Sequence, residues 1–361
     1  MNNNLSELFE AGVSIWLDDL SRDRIESGNL ASLIQNHSVR GVTTNPTIFA
    51  AALKGESYKP LIAAQRGNTV DETIKQITSK DVADACVIFN DVYLTSEGVD
   101  GRVSIEVEPK LAFDAQGTVE QGLELHKLVG KENVMIKVPA TKPGLEAITE
   151  LTAHGVSVNV TLIFSTDRYD EVIDAYFNGL DKALANGVDI RKIHSVASFF
   201  VSRVDTEVDA RLEALAKPEM KSKAALANAR LAYALFEERF GSPRWKALEA
   251  QGARLQRPLM ASTGVKDPSL PDTLYVTELI AKDLVNTMPE KTMMAVADHG
   301  EISEDSITPN LEAAISFMSE LNDAGVDFDS VTQKLEDEGV SKFITSWDEL
   351  VESVTAAIEG N

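Results

Sequence analysis

The chain is short of cysteine, of positive charge and of long apolar runs, and each shortage narrows what it can be. Cys86 is the single cysteine in 361 residues, so no internal disulfide can form. That usage fits a reducing compartment. Thirty-four Lys and Arg stand against 57 Asp and Glu, a formal net charge of −23. An excess of that sign repels a phosphate backbone and argues against nucleic acid as a main partner. It does not argue against a small phosphorylated ligand, because a local basic pocket can oppose the global field. No apolar run approaches membrane-spanning length, and the stretch Met1 to Glu7 lacks the basic and apolar regions of a signal peptide. A cytoplasmic location without a membrane partner is the expectation.

Several motifs are missing as well. There is no GxGxxG, no GxxxxGK, no HExxH and no GxSxG. The five histidines show no metal-ligand spacing, and His194, opening a strand, reads as a packing or hydrogen-bonding residue. Asn36-His37-Ser38 matches a glycosylation acceptor, which reads as chance in a chain with no secretory signal.

What is present is an ordinary globular composition, 43% hydrophobic and 25% charged. Short apolar strands alternate with helical patterns. The strand candidates are Val13–Asp18, Val39–Thr43, Arg102–Val107, Val134–Val138, Val156–Phe164, Ile193–Phe200, Pro258–Thr263 and Leu284–Met288. Helical patterns between them include Pro143–Leu151, Asp167–Ala185 and Lys221–Phe240. Eight strands interleaved with helices predict an α/β fold, a closed parallel (β/α)8 TIM barrel, with a doubly wound open sheet as the alternative. One barrel domain over residues 1–361 is expected. It would carry a helical insertion at about 46–100 and a C-terminal helical extension at about 300–361, including Leu311–Leu321 and Trp347–Ile358. A monomer or a homodimer is expected.

The chemistry points to one lysine. Lys137 lies inside the apolar run Val134-Met135-Ile136-Lys137-Val138-Pro139-Ala140. A buried ammonium is costly unless paired, and a neutral amine is a nucleophile toward carbonyl groups. Pairing with a carboxylate, or reaching out at the strand end, is the bland reading. Other strands put polar residues on one face at period two: Ser104 with Glu106, Ser157 with Asn159 and Thr161, and Ser198 with Phe200. Arg203 follows the sixth strand, Asp18 ends the first, Thr43 and Asn45 end the second, and Ser262 ends the seventh with Lys266 beyond it. Most fall late in their strands, where a barrel carries its active site. Singly, each admits a structural role. Asp18 or Asp19 could cap the next helix, and Thr43-Thr44-Asn45-Pro46 could be a strand-to-helix turn with Pro46 at the first helical position. Convergence around one buried lysine is harder to explain as scaffold.

The ordered series of segments resembles the transaldolase family, in its longer bacterial type. The segments are Trp16-Leu17-Asp18-Asp19-Leu20-Ser21-Arg22, Gly41-Val42-Thr43-Thr44-Asn45-Pro46 and Gly101-Arg102-Val103-Ser104-Ile105-Glu106-Val107. They continue with the Lys137 segment, Val158-Asn159-Val160-Thr161-Leu162-Ile163-Phe164-Ser165, Ser198-Phe199-Phe200-Val201-Ser202-Arg203 and Ala261-Ser262-Thr263-Gly264-Val265-Lys266. The resemblance implies a cofactor-free Schiff-base transferase of the pentose phosphate pathway, acting on sugar phosphates. Lys137 would form the imine. Glu106, Asp18 and Thr161 would move protons, the last through a water. Asn45, Asn159 and Ser198 would meet sugar hydroxyls, with Thr43, Phe200 and Ser262 also among the substrate contacts. Arg203 would bind phosphate. Other branches carry an arginine shortly after the seventh-strand serine. Here the stretch reads Thr263-Gly264-Val265-Lys266, so the second phosphate contact passes to Lys266.

Three other readings compete. A fructose 6-phosphate aldolase shares the chemistry, but such relatives are shorter and resemble transaldolases with a tyrosine in place of the third-strand glutamate. A silent sugar-phosphate-binding barrel would keep Arg203 and lose Lys137 or Glu106. A pyridoxal phosphate enzyme needs a Gly/Ser-rich phosphate loop, which this chain lacks.

Overall fold

A computed structural model describes residues 4–65 and 67–359. Eight parallel strands close into a barrel in chain order. They are β1 Val13–Leu17, β2 Val39–Val42, β3 Arg102–Glu106, β4 Val134–Pro139, β5 Val158–Ile163, β6 Ser195–Phe200, β7 Gln256–Ala261 and β8 Leu284–Met288. The architecture is the expected TIM barrel, closed by pairing of β1 with β8.

Strand-to-helix turns at the C-terminal rim are locked by side-chain caps. Asn45 accepts from the Ile48 amide at 3.0 Å, Thr141 from Gly144 at 3.1 Å and Ser165 from Arg168 at 3.1 Å. Each satisfies a backbone donor that the first helical turn leaves unpaired. The helix after β1 is capped by Ser21, not by Asp18 or Asp19. Asp18 is thus left for the barrel mouth, and Asp19 pairs with Arg24.

Differences from the sequence expectations are local. β7 begins at Gln256 instead of Pro258, and the proline lies within the strand. Gln256 and Arg257 look like loop residues but are buried at the base of the barrel, where Gln256 meets Ser195 and Arg257 meets Asp100. β7 also stops before Ser262, whose φ of 57° lies in the left-handed region and breaks the extended run. The insertion is a series of helices, the longest Val70–Ile88, opened by a Thr69–Glu72 capping box. The last helix of the C-terminal extension is longer than the expected Trp347–Ile358. One helix, Phe328–Glu359, runs across the barrel mouth and packs on the helix Pro46–Ala52. Gly339 permits its approach to β5, since a Cβ there would lie 2.9 Å from Leu162.

The three tryptophans divide among three regions. Trp16 fills the barrel interior, Trp245 lies beneath the N-terminal opening, and Trp347 is on the C-terminal helix. Among the described residues no helix is long and apolar enough to cross a membrane.

Gly41 on β2 faces the Trp16 indole, and a Cβ there would come within 2.6 Å of the ring. Gly41→Ala should therefore overpack the barrel and cost about 1–3 kcal/mol. A urea midpoint unchanged from wild type would contradict this packing account.

Candidate active site

Lys137 occupies the inner face of β4 and is 5% exposed. Its Nζ lies 2.9 Å from Glu106 Oε1, and the Glu106 side chain is itself 7% exposed. The pairing follows from register, because Glu106 of β3 sits directly beside Lys137 of β4. The contact is a charge pair and not an aligned hydrogen bond. Thr44 braces both partners. Its carbonyl accepts from Lys137 Nζ at 2.5 Å, and its hydroxyl lies 2.7 Å from Glu106 Oε2.

This lysine forms part of the wall of a cavity of about 640 Å³ at the C-terminal end of the barrel. Asp18, Thr43, Asn45, Thr161, Ser198, Phe200, Arg203 and Ser262 also line it. The structure therefore brings most of the sequence-derived candidates together, from β1, β2, β4, β5, β6 and β7. Asp18 accepts from Thr43 Oγ1 at 2.9 Å. Burial raises its carboxyl above the ordinary aspartate range, while Lys137 and the Thr43 hydroxyl pull the other way. Thr161 Oγ1 is buried with no hydrogen-bond partner among the described residues. Beside it a small cavity of about 20 Å³, shared with Glu106 and Lys137, has room for one water. The next residue, Leu162, takes φ 60°, and β5 slips register against β6 there. Backbone strain of this kind is held only where the surroundings over-determine it.

Three candidates stand off this wall, and the first of them, Glu106, lines the small cavity beside Thr161. Asn159 is fully buried and off the cavity wall, with its amide bonded to Ser104 Oγ at 2.9 Å and to Ser198 Oγ at 2.7 Å. The oxygen and one N–H of that amide are thus taken by protein side chains. Lys266 is exposed and also off the wall, although it lies close enough to feel Arg203.

The cations deserve separate treatment. Arg203 stacks over the Phe200 ring at 5.0 Å and, among the described residues, has no carboxylate at ion-pair distance. Burial lowers its pKa, opposed by Asp18 and Glu338. Lys342, from the C-terminal helix, joins it on the wall and likewise has no ion-pair partner among the described residues. Burial, then Arg203 and Lys342, push Lys266 below its ordinary value. Three cations thus gather at one side of the mouth of an acidic protein.

Sequence reasoning missed Thr44, Lys342 and Phe343. Alternation pointed Thr44 away from the site, but β2 ends at Val42 and period two lapses there. Lys342 and Phe343 carried no local signal, since their place depends on how a distant helix docks.

Comparison with known proteins places the chain in a family. The family model described as Transaldolase/Fructose-6-phosphate aldolase matches residues 15–354. A transaldolase of Renibacterium salmoninarum is 56% identical, over 99% of this chain and 97% of that protein. Transaldolases of Mycolicibacterium smegmatis and an Arthrobacter species are 55% and 54% identical, each over 99% of this chain and 98% of theirs.

Asp18 supplies a stability test. A carboxyl whose folded pKa is raised adds stability below its unfolded pKa and costs stability as pH rises past it. Asp18→Asn should therefore raise the thermal midpoint at pH 7, by about 1 °C per kcal/mol relieved in a chain of 361 residues. The gain should fade as pH falls into the ordinary aspartate range. A variant less stable than wild type at pH 7 would show that attraction to Lys137 outweighs burial.

Proposed function

The chain belongs to the transaldolase/fructose-6-phosphate aldolase family as a transaldolase, a transferase, and we propose that it works through a Schiff base on Lys137. The unit moved is dihydroxyacetone, from a ketose phosphate such as sedoheptulose 7-phosphate or fructose 6-phosphate. The acceptor is glyceraldehyde 3-phosphate or erythrose 4-phosphate. The observation that carries the reading is the buried Lys137–Glu106 pair at 2.9 Å, whose lysine lines a cavity that also holds unpaired cations.

The steps follow from the contacts. Transfer of one proton from Lys137 to Glu106 turns the charge pair into an amine and a carboxylic acid. The amine attacks the substrate ketone and gives a carbinolamine. Glu106, through a water held at Thr161, protonates the departing hydroxyl, and an iminium forms as water leaves. Asp18 removes the proton of the C4 hydroxyl. The C3–C4 electron pair flows into the iminium, the aldose phosphate departs and an enamine of dihydroxyacetone remains. The second aldose reverses the sequence, with Asp18 returning its proton. General acid–base help of this kind contributes about 10²–10⁴ in rate. The pKa of Asp18, raised by burial, moves toward the operating pH, which suits a group that must both take and return a proton.

Phosphate binding fits the cationic side of the mouth. Arg203 offers a planar fork stacked on Phe200, and Lys342 adds a point charge from above. Lys266 strengthens the local field from outside the wall. Transfer is favoured over release of free dihydroxyacetone by Glu106 at the third-strand position, where the resemblance puts tyrosine in the aldolases.

Incubation with fructose 6-phosphate followed by borohydride should fix a three-carbon adduct on Lys137, read by peptide mass spectrometry. Lys137→Ala should give no adduct and no turnover. An adduct on another lysine, or activity near wild type in Lys137→Ala, would refute the assignment. Turnover of fructose 6-phosphate should require erythrose 4-phosphate, and turnover without an acceptor would favour the aldolase. Lys342→Ala should raise KM for the phosphorylated donor about tenfold, equivalent to about 1.4 kcal/mol, with a smaller change in kcat. An unchanged KM would remove Lys342 from the phosphate site.

A further inference from the structure

The opposite, N-terminal end of the barrel holds a second cavity, of about 490 Å³. That volume lies in the range of small-molecule sites. Nothing in the chemistry at Lys137 uses it. Arg102 of β3 and Arg257 of β7 reach it from the strands, and Arg254 from the loop before β7. Arg191, His194 and Trp245 complete the basic and aromatic part of the wall.

The charges there do not balance locally. Arg257 meets Asp100 at 2.8 Å, and Arg191 meets Asp189 at 2.8 Å. The carboxylate within ion-pair reach of Arg254 is Glu97, at 3.8 Å and 82% exposed, a pair that water largely screens. Arg102 is 1% exposed and, among the described residues, has no carboxylate at ion-pair distance. It donates to the carbonyls of Gly98 at 2.7 Å and Glu132 at 3.2 Å. The acidic residues of the wall, Glu249 and Asp283, are solvent-exposed. Burial, then Arg102, Arg254 and Arg257, push His194 down to about 2, so it stays neutral in a positive field.

Hydrogen bonding tells the same story by a different route. Three buried N–H groups of residues that line the cavity, Arg102 Nη2, Arg254 Nε and Trp245 Nε1, have no acceptor among the described residues. Buried donors are seldom left unpaired, so these residues bring more donors to the region than the protein matches with acceptors. The complementary ligand is an oxyanion. Guanidinium forks match phosphate in shape as well as charge. We propose that this cavity is a second binding site, for a phosphate-bearing small molecule. It is separate from the barrel mouth and independent of the Schiff-base reading.

Calorimetric titration of the purified full chain with inorganic phosphate tests it. Two classes of site are expected. Arg203→Ala should weaken one of them at least tenfold and leave the other. Arg254→Ala should do the reverse, with transferase turnover unchanged, and Arg254→Lys should retain part of the affinity. Arg254 is half-exposed, so its truncation is not expected to unfold the chain, and a thermal melt checks this. Loss of the Arg203-dependent class alone would count against the mouth as a phosphate site and leave this proposal standing. A single class that Arg203→Ala removes, a second class that Arg254→Ala does not move, or no binding at all would overturn it.

Discussion

Two opposite charges buried side by side govern this barrel. Lys137 and Glu106 sit in a packed interior where neither would be tolerated alone, since removing one partner of a buried pair typically costs about 3–5 kcal/mol. The scaffold is arranged so that neither is alone. Register places them on adjacent strands, and Thr44 touches both with one residue's carbonyl and hydroxyl. Thr44 can do this because β2 stops two residues earlier and the chain turns into a capped helix at Asn45 and Pro46. A strand end, a turn and a helix start are thus tied to the stability of one ion pair. The same pair is a proton transfer away from a nucleophile, so structural cost and chemical use meet in one contact.

Legibility in the sequence followed how local each determinant was. The barrel was readable because strands and helices have different apolar periods, and because polar residues recurred in phase on the inner faces. Lys137, Glu106, Asp18 and Thr161 were readable for the same reason, and all four line the two cavities around the Lys137–Glu106 pair. Asn159 shared the phase, but phase gives a direction and not a depth. It lies below the floor and bonds Ser104 and Ser198. Arg257 hid in the other direction, since a charged residue is a poor strand signal until Asp100 and Ser14 are seen beside it. Lys342 was beyond reach, because its place at the mouth depends on the docking of the distant helix Phe328–Glu359, which meets β5 at Gly339.

On the proposed reading, the charge distribution reconciles an acidic chain with anionic substrates. Its excess of 23 negative charges is carried mostly on the surface, while uncompensated guanidinium and ammonium groups collect at the two ends of the barrel axis. At long range such a surface repels sugar phosphates. Within a Debye length of about 8 Å at physiological salt, only the local field matters. Selectivity for anions is then set inside the cavities and not by steering from afar.

The placement of the three tryptophans has a practical consequence. The indoles of Trp16, Trp245 and Trp347 lie in the barrel interior, at the N-terminal cavity and on the helix that crosses the mouth. Each region carries one tryptophan and no other. The tryptophan emission of the chain is therefore a sum of three spatially assigned signals. Retaining one indole at a time would turn it into separate optical channels for the core, the base and the cap of the same molecule.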